Sequence, residues 1–280
     1  MAFLTSGDCR LYYEVAGQGP AIVFAHESAA DHRQWREQVD ALSAHYRCIV
    51  YNARGYTPSD VPEEDAAYGY IPAWRDLAAV VEQVAGGAAH IVGLSMGAYA
   101  ALMLGLNRPD LVSSLFIAGC GTGSTREPNG AMQTGMTALA QLFVDEGSMA
   151  GATAIAAPSN RTGFRRRDPV RWQAWYDDLV THSAAGMART FRNYQGRRPS
   201  LYMFEEALRQ LDKPTMLAVG DEDSDCIEVN LFLRQILPDA ALWMVPHSGH
   251  AVNLEAPDAF NAVLKRFLAT VAARPAAVLA

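Results

Sequence analysis

The stretch that most constrains this chain runs from His90 to Leu102, where an apolar β-branched run, a serine and a run of helix formers follow one another without a spacer. Ile91 and Val92 close a strand, Met96 to Leu106 reads as a helix ended by Asn107-Arg108-Pro109, and Gly93 and Gly97 bracket Ser95. A strand that becomes a helix at one residue pushes that residue toward unfavourable backbone angles. Its neighbours two positions away must then lack bulk, or the turn clashes with the adjacent strand and helix. The turn also holds the Ser95 hydroxyl at a helix N-terminus, where the dipole and the Met96 N–H favour developing negative charge. The remainder of the chain can be placed around this unit.

Before it, Phe3–Thr5 and Arg10–Ala16 read as a hairpin, followed by the Gly17-Gln18-Gly19-Pro20 turn. Ala21–Phe24 and Cys48–Tyr51 are short apolar strands. Each runs into a polar loop, His26–His32 after the first and Asn52–Asp60 after the second. Loops at the carboxyl ends of such strands are where open α/β sheets place their sites. Helices are expected around Trp35, Val39 and Leu42, and over 71–84. Beyond the central unit, Val112–Ala118 is a further strand. From about Ser124 to Leu201 the alternation stops, and Met, Trp and Arg become dense. Met132, Met136, Leu139 and Phe143 recur at helical spacing, as do Trp172, Trp175, Tyr176 and Leu179. This reads as a helical cap over 124–201 inserted into a core of 1–123 and 202–280. Alternation resumes with strands at 215–219 and 241–245 and helices at 228–237 and 257–271, and the Ala-rich tail over 272–280 is expected to fray.

Composition excludes several classes. Half of the 280 residues are hydrophobic, enough for a large core, and a net charge of −7 argues against a nucleic-acid partner. No apolar run reaches the roughly 18 residues of a membrane span, and Met1–Asp8 lacks the basic start and long apolar core of a signal peptide, so a cytoplasmic location is expected. Cys9, Cys48, Cys120 and Cys226 are scattered, with neither disulfide-framework nor metal spacing. No zinc or iron site is implied.

Four motifs give the chain a resemblance to the α/β-hydrolase family, in its capped esterase, enol-lactonase and carbon-carbon hydrolase branch. They are Gly93-Leu94-Ser95-Met96-Gly97, Gly220-Asp221-Glu222-Asp223 after a strand, Ser248-Gly249-His250 followed by Asn253, Glu255 and Pro257, and the Arg54-Gly55 loop. The likeness covers roughly Leu11 to Leu268. It implies an α/β-hydrolase fold, a Ser95–His250–Asp223 site and no cofactor. A serine hydroxyl is a poor nucleophile at neutral pH, so an imidazole must take its proton and return it to the leaving group. His250 is the candidate base, and Asp223 would hold its tautomer, with Asp221 and Asp225 as rivals for that role. The other histidines match no catalytic motif, and the family counterpart of His26 shapes the oxyanion loop.

The resemblance implies an oxyanion hole from the Met96 and Ser28 N–H groups. Relatives usually carry His-Gly where this chain has His26-Glu27, and a carboxylate beside an oxyanion is unfavourable unless Glu27 turns away or is paired. The Arg54 loop differs too, with Asn52 and Thr57 where Asp and Gly are common, changes expected to be structural. His26, Glu27, Met136, Trp172 and Trp175 are the candidate substrate-binding residues. A serine at the elbow fits hydrolysis of a small-molecule ester or lactone through an acyl-enzyme. Carbon-carbon cleavage of a ring-cleavage-type diketone and a slow-turnover ligand receptor are the alternatives. Nine arginines within 161–198, in an acidic protein, raise an acidic substrate against the commoner reading that arginines of an inserted helical segment face water and pair with acids such as Asp168, Asp177 or Asp178, and at most one or two of them could reach a ligand.

Overall fold

The computed structural model describes residues 2–127 and 130–274, so most of the Ala-rich tail lies outside the described residues. Eight strands form one sheet: β1 (Ala2–Ser6), β2 (Cys9–Ala16), β3 (Ala21–Ala25), β4 (Arg47–Tyr51), β5 (Ala89–Leu94), β6 (Val112–Ala118), β7 (Thr215–Gly220) and β8 (Ala240–Val245). Their spatial order is β1-β2-β4-β3-β5-β6-β7-β8. The first hairpin and the β2–β4 pair are antiparallel, and every pairing from β4 to β8 is parallel. Helices α1 (Arg36–Leu42), α2 (Tyr70–Val80) and α3 (Met96–Asn107) link the early strands. Between β6 and β7 come α4 (Gly130–Ala156, interrupted at Gly147), α5 (Ser159–Arg167), α6 (Pro169–Val180), α7 (Ala184–Arg189) and α8 (Glu205–Arg209). Helix α9 (Ser224–Ile236) joins β7 to β8, and α10 (Val252–Glu255) and α11 (Pro257–Ala272) end the chain. Among the described residues no helix is long and apolar enough to cross a membrane.

Alternation along the strands builds two cores. Ile22 and Phe24 of β3, Val92 and Leu94 of β5, and Phe116 and Ala118 of β6 share a cluster with Trp35, Leu42, Phe260, Leu264 and Leu268, so this face of the sheet is covered by α1 and α11. The intervening Val23, Ala25, Ile91, Leu115 and Ile117 pack on the other face with α2, α3 and α9. Strands buried on both faces read as unbroken apolar runs, which is why β3, β4 and β5 were visible without a polar/apolar alternation. Helix α3 is buried almost all round.

Strand register sets where the loops emerge. Ala25 lies beside Gly93, Leu94 beside Ala118, Ala118 beside Ala218, and Gly220 beside Val245. The carboxyl ends of β3, β5, β6, β7 and β8 are therefore level, and the loops leaving them meet on one edge of the sheet. The helical insertion between β6 and β7 rises from the same edge.

Candidate active site

Ser95 stands alone between β5 and α3, with φ 53° and ψ −107°. This is a left-handed region that L-residues avoid, and it persists because the surroundings hold it: the Ser95 N–H donates to the Ala118 carbonyl at 2.8 Å. The flanking glycines are sterically required. A Cβ at Gly97 would lie 2.1 Å from the Ala25 carbonyl oxygen, and one at Gly93 would lie 2.5 Å from that of Gly97. The elbow closes only because both side chains are missing.

Asp223, fully buried, precedes α9, and its Oδ2 is 2.6 Å from Nδ1 of His250. The β7 end and the His250 loop approach closely: a Cβ at Gly220 would be 2.2 Å from the Ser248 and Gly249 carbonyl oxygens. The base loop is clamped by Glu255, whose carboxylate accepts from the Gly249 N–H at 2.9 Å and the Ala251 N–H at 3.2 Å, on either side of His250. Arg167 in turn pairs with Glu255 and Glu222. Burial pushes the Asp223 carboxyl up, but the charge and hydrogen bond of His250, with a bond from Asn160, outweigh it and hold the carboxyl down at about 2. Burial likewise pulls the His250 imidazole down, and the charge and hydrogen bond of Asp223 reverse it, leaving the imidazole above its ordinary value. With Nδ1 committed to Asp223, Nε2 is the nitrogen left to serve a reacting group. The rivals are elsewhere: Asp221 is exposed and accepts from the Ser248 N–H at 3.2 Å, and Asp225 is exposed at the cavity mouth.

The loop after β3 carries Ser28 next to the elbow. The Glu27 N–H is taken by Gln34 Oε1 at 3.1 Å, whereas the N–H groups of Ser28 and Met96 meet no protein acceptor among the described residues. Two tyrosines fix these residues through their carbonyls, Tyr56 Oη donating to Ser28 at 2.9 Å and Tyr194 Oη to Met96 at 3.0 Å. His26 does not join the wall of the Ser95 cavity. It is buried, which drops its imidazole to about 4, and it accepts from the Ala53 N–H at 2.9 Å while Nδ1 contacts the Glu27 carbonyl at 2.7 Å, tying two loops together. Arg54 is structural as well, held bidentate by buried Asp76, and Asn52 bonds the Thr57 carbonyl and the His32 N–H.

Ser95, His250, Ser28 and Glu27 line a cavity of ≈ 610 Å³ roofed by the insertion. Its apolar side comes from Met132, Met136, Leu139, Leu142, Ile155 and Phe191. Met136 lies on this wall. Trp172 and Trp175 are not on this wall: Trp172 stacks on Tyr176 with centroids 5.2 Å apart, and Trp175 packs against Phe164 and bonds the Ala29 carbonyl through Nε1. Their helical stripe packs within the insertion and, through Trp175, onto the loop after β3. Of the nine arginines, only Arg161 and Arg198 reach the cavity. Arg161 is bound to Glu27, while Arg198 makes no ion pair among the described residues. One Arg198 nitrogen donates to the Thr122 carbonyl at 2.8 Å and Cζ lies 5.0 Å from the Tyr99 ring centroid, while its Nη1, like Nε2 of Gln195, is buried with no hydrogen-bond partner among the described residues.

Sequence reasoning missed three contributors. Asn160 Nδ2 donates to Asp223 Oδ1 at 3.0 Å, and Tyr56 and Tyr194 hold Ser28 and Met96. None belongs to a short motif, so only the fold could join them to the site. Asp223, Cys226 and His250 form the one metal-capable cluster among the described residues. Burial pushes the Cys226 thiol far up, so it is poorly suited to act as a thiolate ligand, and Asp223 and His250 already bond each other.

Comparison with known proteins places this fold among others like it. Residues 22–263 match the family described as Alpha/beta hydrolase family. The chain is 24% identical to 3-oxoadipate enol-lactonase 1 of Acinetobacter baylyi over 264 residues, 90% of each protein. Among solved structures, the enol-lactonase from Burkholderia xenovorans LB400 superposes with a TM-score of 0.84 at 22% identity, covering 96% of this chain and all of that one. A thermophilic esterase from Thermogutta terrifontis does so at 0.86 and 21% identity, covering 96% and 98%.

Proposed function

The chain belongs to the α/β-hydrolase family, and from that premise we propose that it is a serine hydrolase of small-molecule esters or lactones, with Ser95 as nucleophile, His250 as base and Asp223 as orienting acid. The observation that carries this reading is the buried 2.6 Å contact between Asp223 and His250, opening on the cavity that also holds Ser95 in its strained turn. In the reaction, Ser95 Oγ bonds to the substrate carbonyl carbon as its proton passes to His250 Nε2. The Ser28 and Met96 N–H groups receive the charge that develops on the carbonyl oxygen. Nε2–H then protonates the departing oxygen, and water, deprotonated by the same nitrogen, releases the acid and frees Ser95.

The 124–201 insertion acts as the cap in this reading. Its methionine-rich side takes an apolar or aromatic portion of the substrate, and Arg198, with its unpartnered buried nitrogen beside Gln195 Nε2, receives an acidic group. Lactone hydrolysis is supported by the named activity of the Acinetobacter baylyi relative.

The test is a serine-directed phosphonate with a panel of aryl esters and lactones. The expected result is a mass increase on the peptide containing Ser95, absent in Ser95→Ala, which also loses turnover. Asp223→Asn should lose most activity and Asp221→Asn little of it. Labelling at another residue, or full turnover by Ser95→Ala, overturns the reading.

A further inference from the structure

Two consecutive residues of α5, Asn160 and Arg161, reach down to the loops that carry the candidate base. The Asn160 carbonyl accepts the His250 N–H at 3.1 Å. Arg161, 5% exposed, grips both oxygens of Glu27, itself 1% exposed, with Nη1 to Oε1 at 3.1 Å and Nη2 to Oε2. The guanidinium is fixed from behind by Trp175, whose ring centroid is 5.0 Å from Cζ. The carboxylate so held is not remote from the chemistry: Glu27 Oε2 lies 4.0 Å from His250 Nε2.

Among the described residues, charged and titratable groups surround the imidazole. Asp223, from the loop after β7, holds Nδ1; Cys226 of α9 stands 3.9 Å from the same nitrogen, its thiol pushed far up by burial. Glu27, after β3, faces Nε2, and Arg161 faces Glu27. Glu255 of α10 is spent on the flanking N–H groups and Arg167. A second carboxylate at Nε2 is a hazard for a base, because an imidazolium bonded by acids on both nitrogens keeps its proton. Glu27 raises the His250 affinity for a proton and Arg161 lowers it, so the two oppose one another at the same nitrogen.

We propose that Arg161 and Glu27 are paired positioning residues: the insertion's arginine occupies the Glu27 carboxylate and cancels its charge, leaving His250 Nε2 free to exchange its proton with Ser95. The proposal rests on His250 being the base and goes beyond it, since it makes the protonation of that base depend on the docked insertion.

The experiment follows the His250 imidazole by NMR titration in Arg161→Gln, Glu27→Gln and the double variant, alongside the pH profile of kcat/KM. Arg161→Gln should raise the His250 midpoint by roughly one pH unit or more, Glu27→Gln should lower it, and the double variant should return to within roughly 0.3 of wild type. The acid limb of kcat/KM should move with it. If Arg161→Gln does not fold, the double variant, which buries no lone charge, carries the test. A double-variant midpoint far from wild type, or single variants that lose thermal stability with an unmoved titration, overturns the proposal by reducing the pair to a structural tie. The two readings fail separately. A shifted titration with phosphonate labelling away from Ser95 sinks the hydrolase assignment alone, and Ser95 labelling with an unmoved titration sinks the pair's role alone.

Discussion

Asn160 Nδ2 donates to the one Asp223 oxygen that His250 leaves free, at 3.0 Å, and its own carbonyl takes the His250 N–H at 3.1 Å. A residue of the insertion thus touches the candidate acid and the candidate base together, fixing their relative rotation. A buried carboxylate oxygen stripped of its donor costs about 1–3 kcal/mol. Asn160→Ala should therefore lower kcat roughly tenfold with little change in KM, and Asn160→Asp should be worse, because it sets a like charge against Asp223. Steady-state kinetics of the two variants decide this, and wild-type kcat in Asn160→Ala would show that Asp223 is held adequately by His250 alone.

The pH dependence has two opposing parts. His250 binds its proton more tightly in the folded chain than at the ordinary 6.5, chiefly because Asp223 overcomes the effect of burial. The acid limb of kcat/KM should accordingly have its midpoint above 6.5 rather than at it. The same raised value stabilises the fold fully below 6.5, and that contribution is lost as pH rises through the folded midpoint. Asp223 behaves in the opposite sense: its depressed value contributes stability above 3.8, lost as pH falls toward about 2. Paired kinetic and thermal-melting profiles from pH 5 to 9 should show activity rising as the His250 contribution to Tm declines. An acid limb below 6.5 would contradict the geometry.

Arg198 gives the substrate expectation a single address. Removing its charge in Arg198→Met should reduce the preference for an acidic ester over its neutral methyl ester by about tenfold or more, and Arg165→Met, stacked on Trp172 outside the cavity, should not. Measured kcat/KM ratios settle it. Equal ratios in wild type and Arg198→Met would leave the cavity an apolar one.

The elbow glycines allow a stability test independent of substrate. Gly97→Ala drives a Cβ to 2.1 Å from the Ala25 carbonyl and should cost at least about 2 kcal/mol, whereas Gly87→Ala, with nothing within 4 Å, should stay within about 0.5. Denaturant unfolding of both variants measures the difference, and a harmless Gly97→Ala would mean that α3 can slide away from β3.

Much of this was legible because it is local. Ser95 announces itself by a strand, two glycines and a helix within a dozen residues, and β3, β5 and β6 are written as apolar runs rich in Ile, Val, Phe and Leu. The motif ranks Asp223 above Asp221 and Asp225, and the three differ in burial, Asp223 being enclosed and the other two exposed. What stayed hidden is long-range. Asn160 meets Asp223 across 63 positions and Arg161 meets Glu27 across 134, and no periodicity links them. The Trp172 and Trp175 stripe left its surroundings open, because helical spacing reveals that a face is buried, not what buries it. Glu27 was visible as an anomaly, but its partner could have been any of nine arginines.

The Glu27–Arg161 pair also bears on how such a chain can change. Either charge alone in that buried setting would be destabilising by about 3–5 kcal/mol, a large share of a typical fold's stability. The two residues are therefore bound in sign epistasis: each is tolerable only in the presence of the other, and any route to the pair by single changes passes through a lone buried charge. Chimeras that exchange residues 124–201 for another insertion inherit the same constraint. A transplanted segment with no cation to meet Glu27 should misfold or demand a compensating change at position 27, however well its own helices pack.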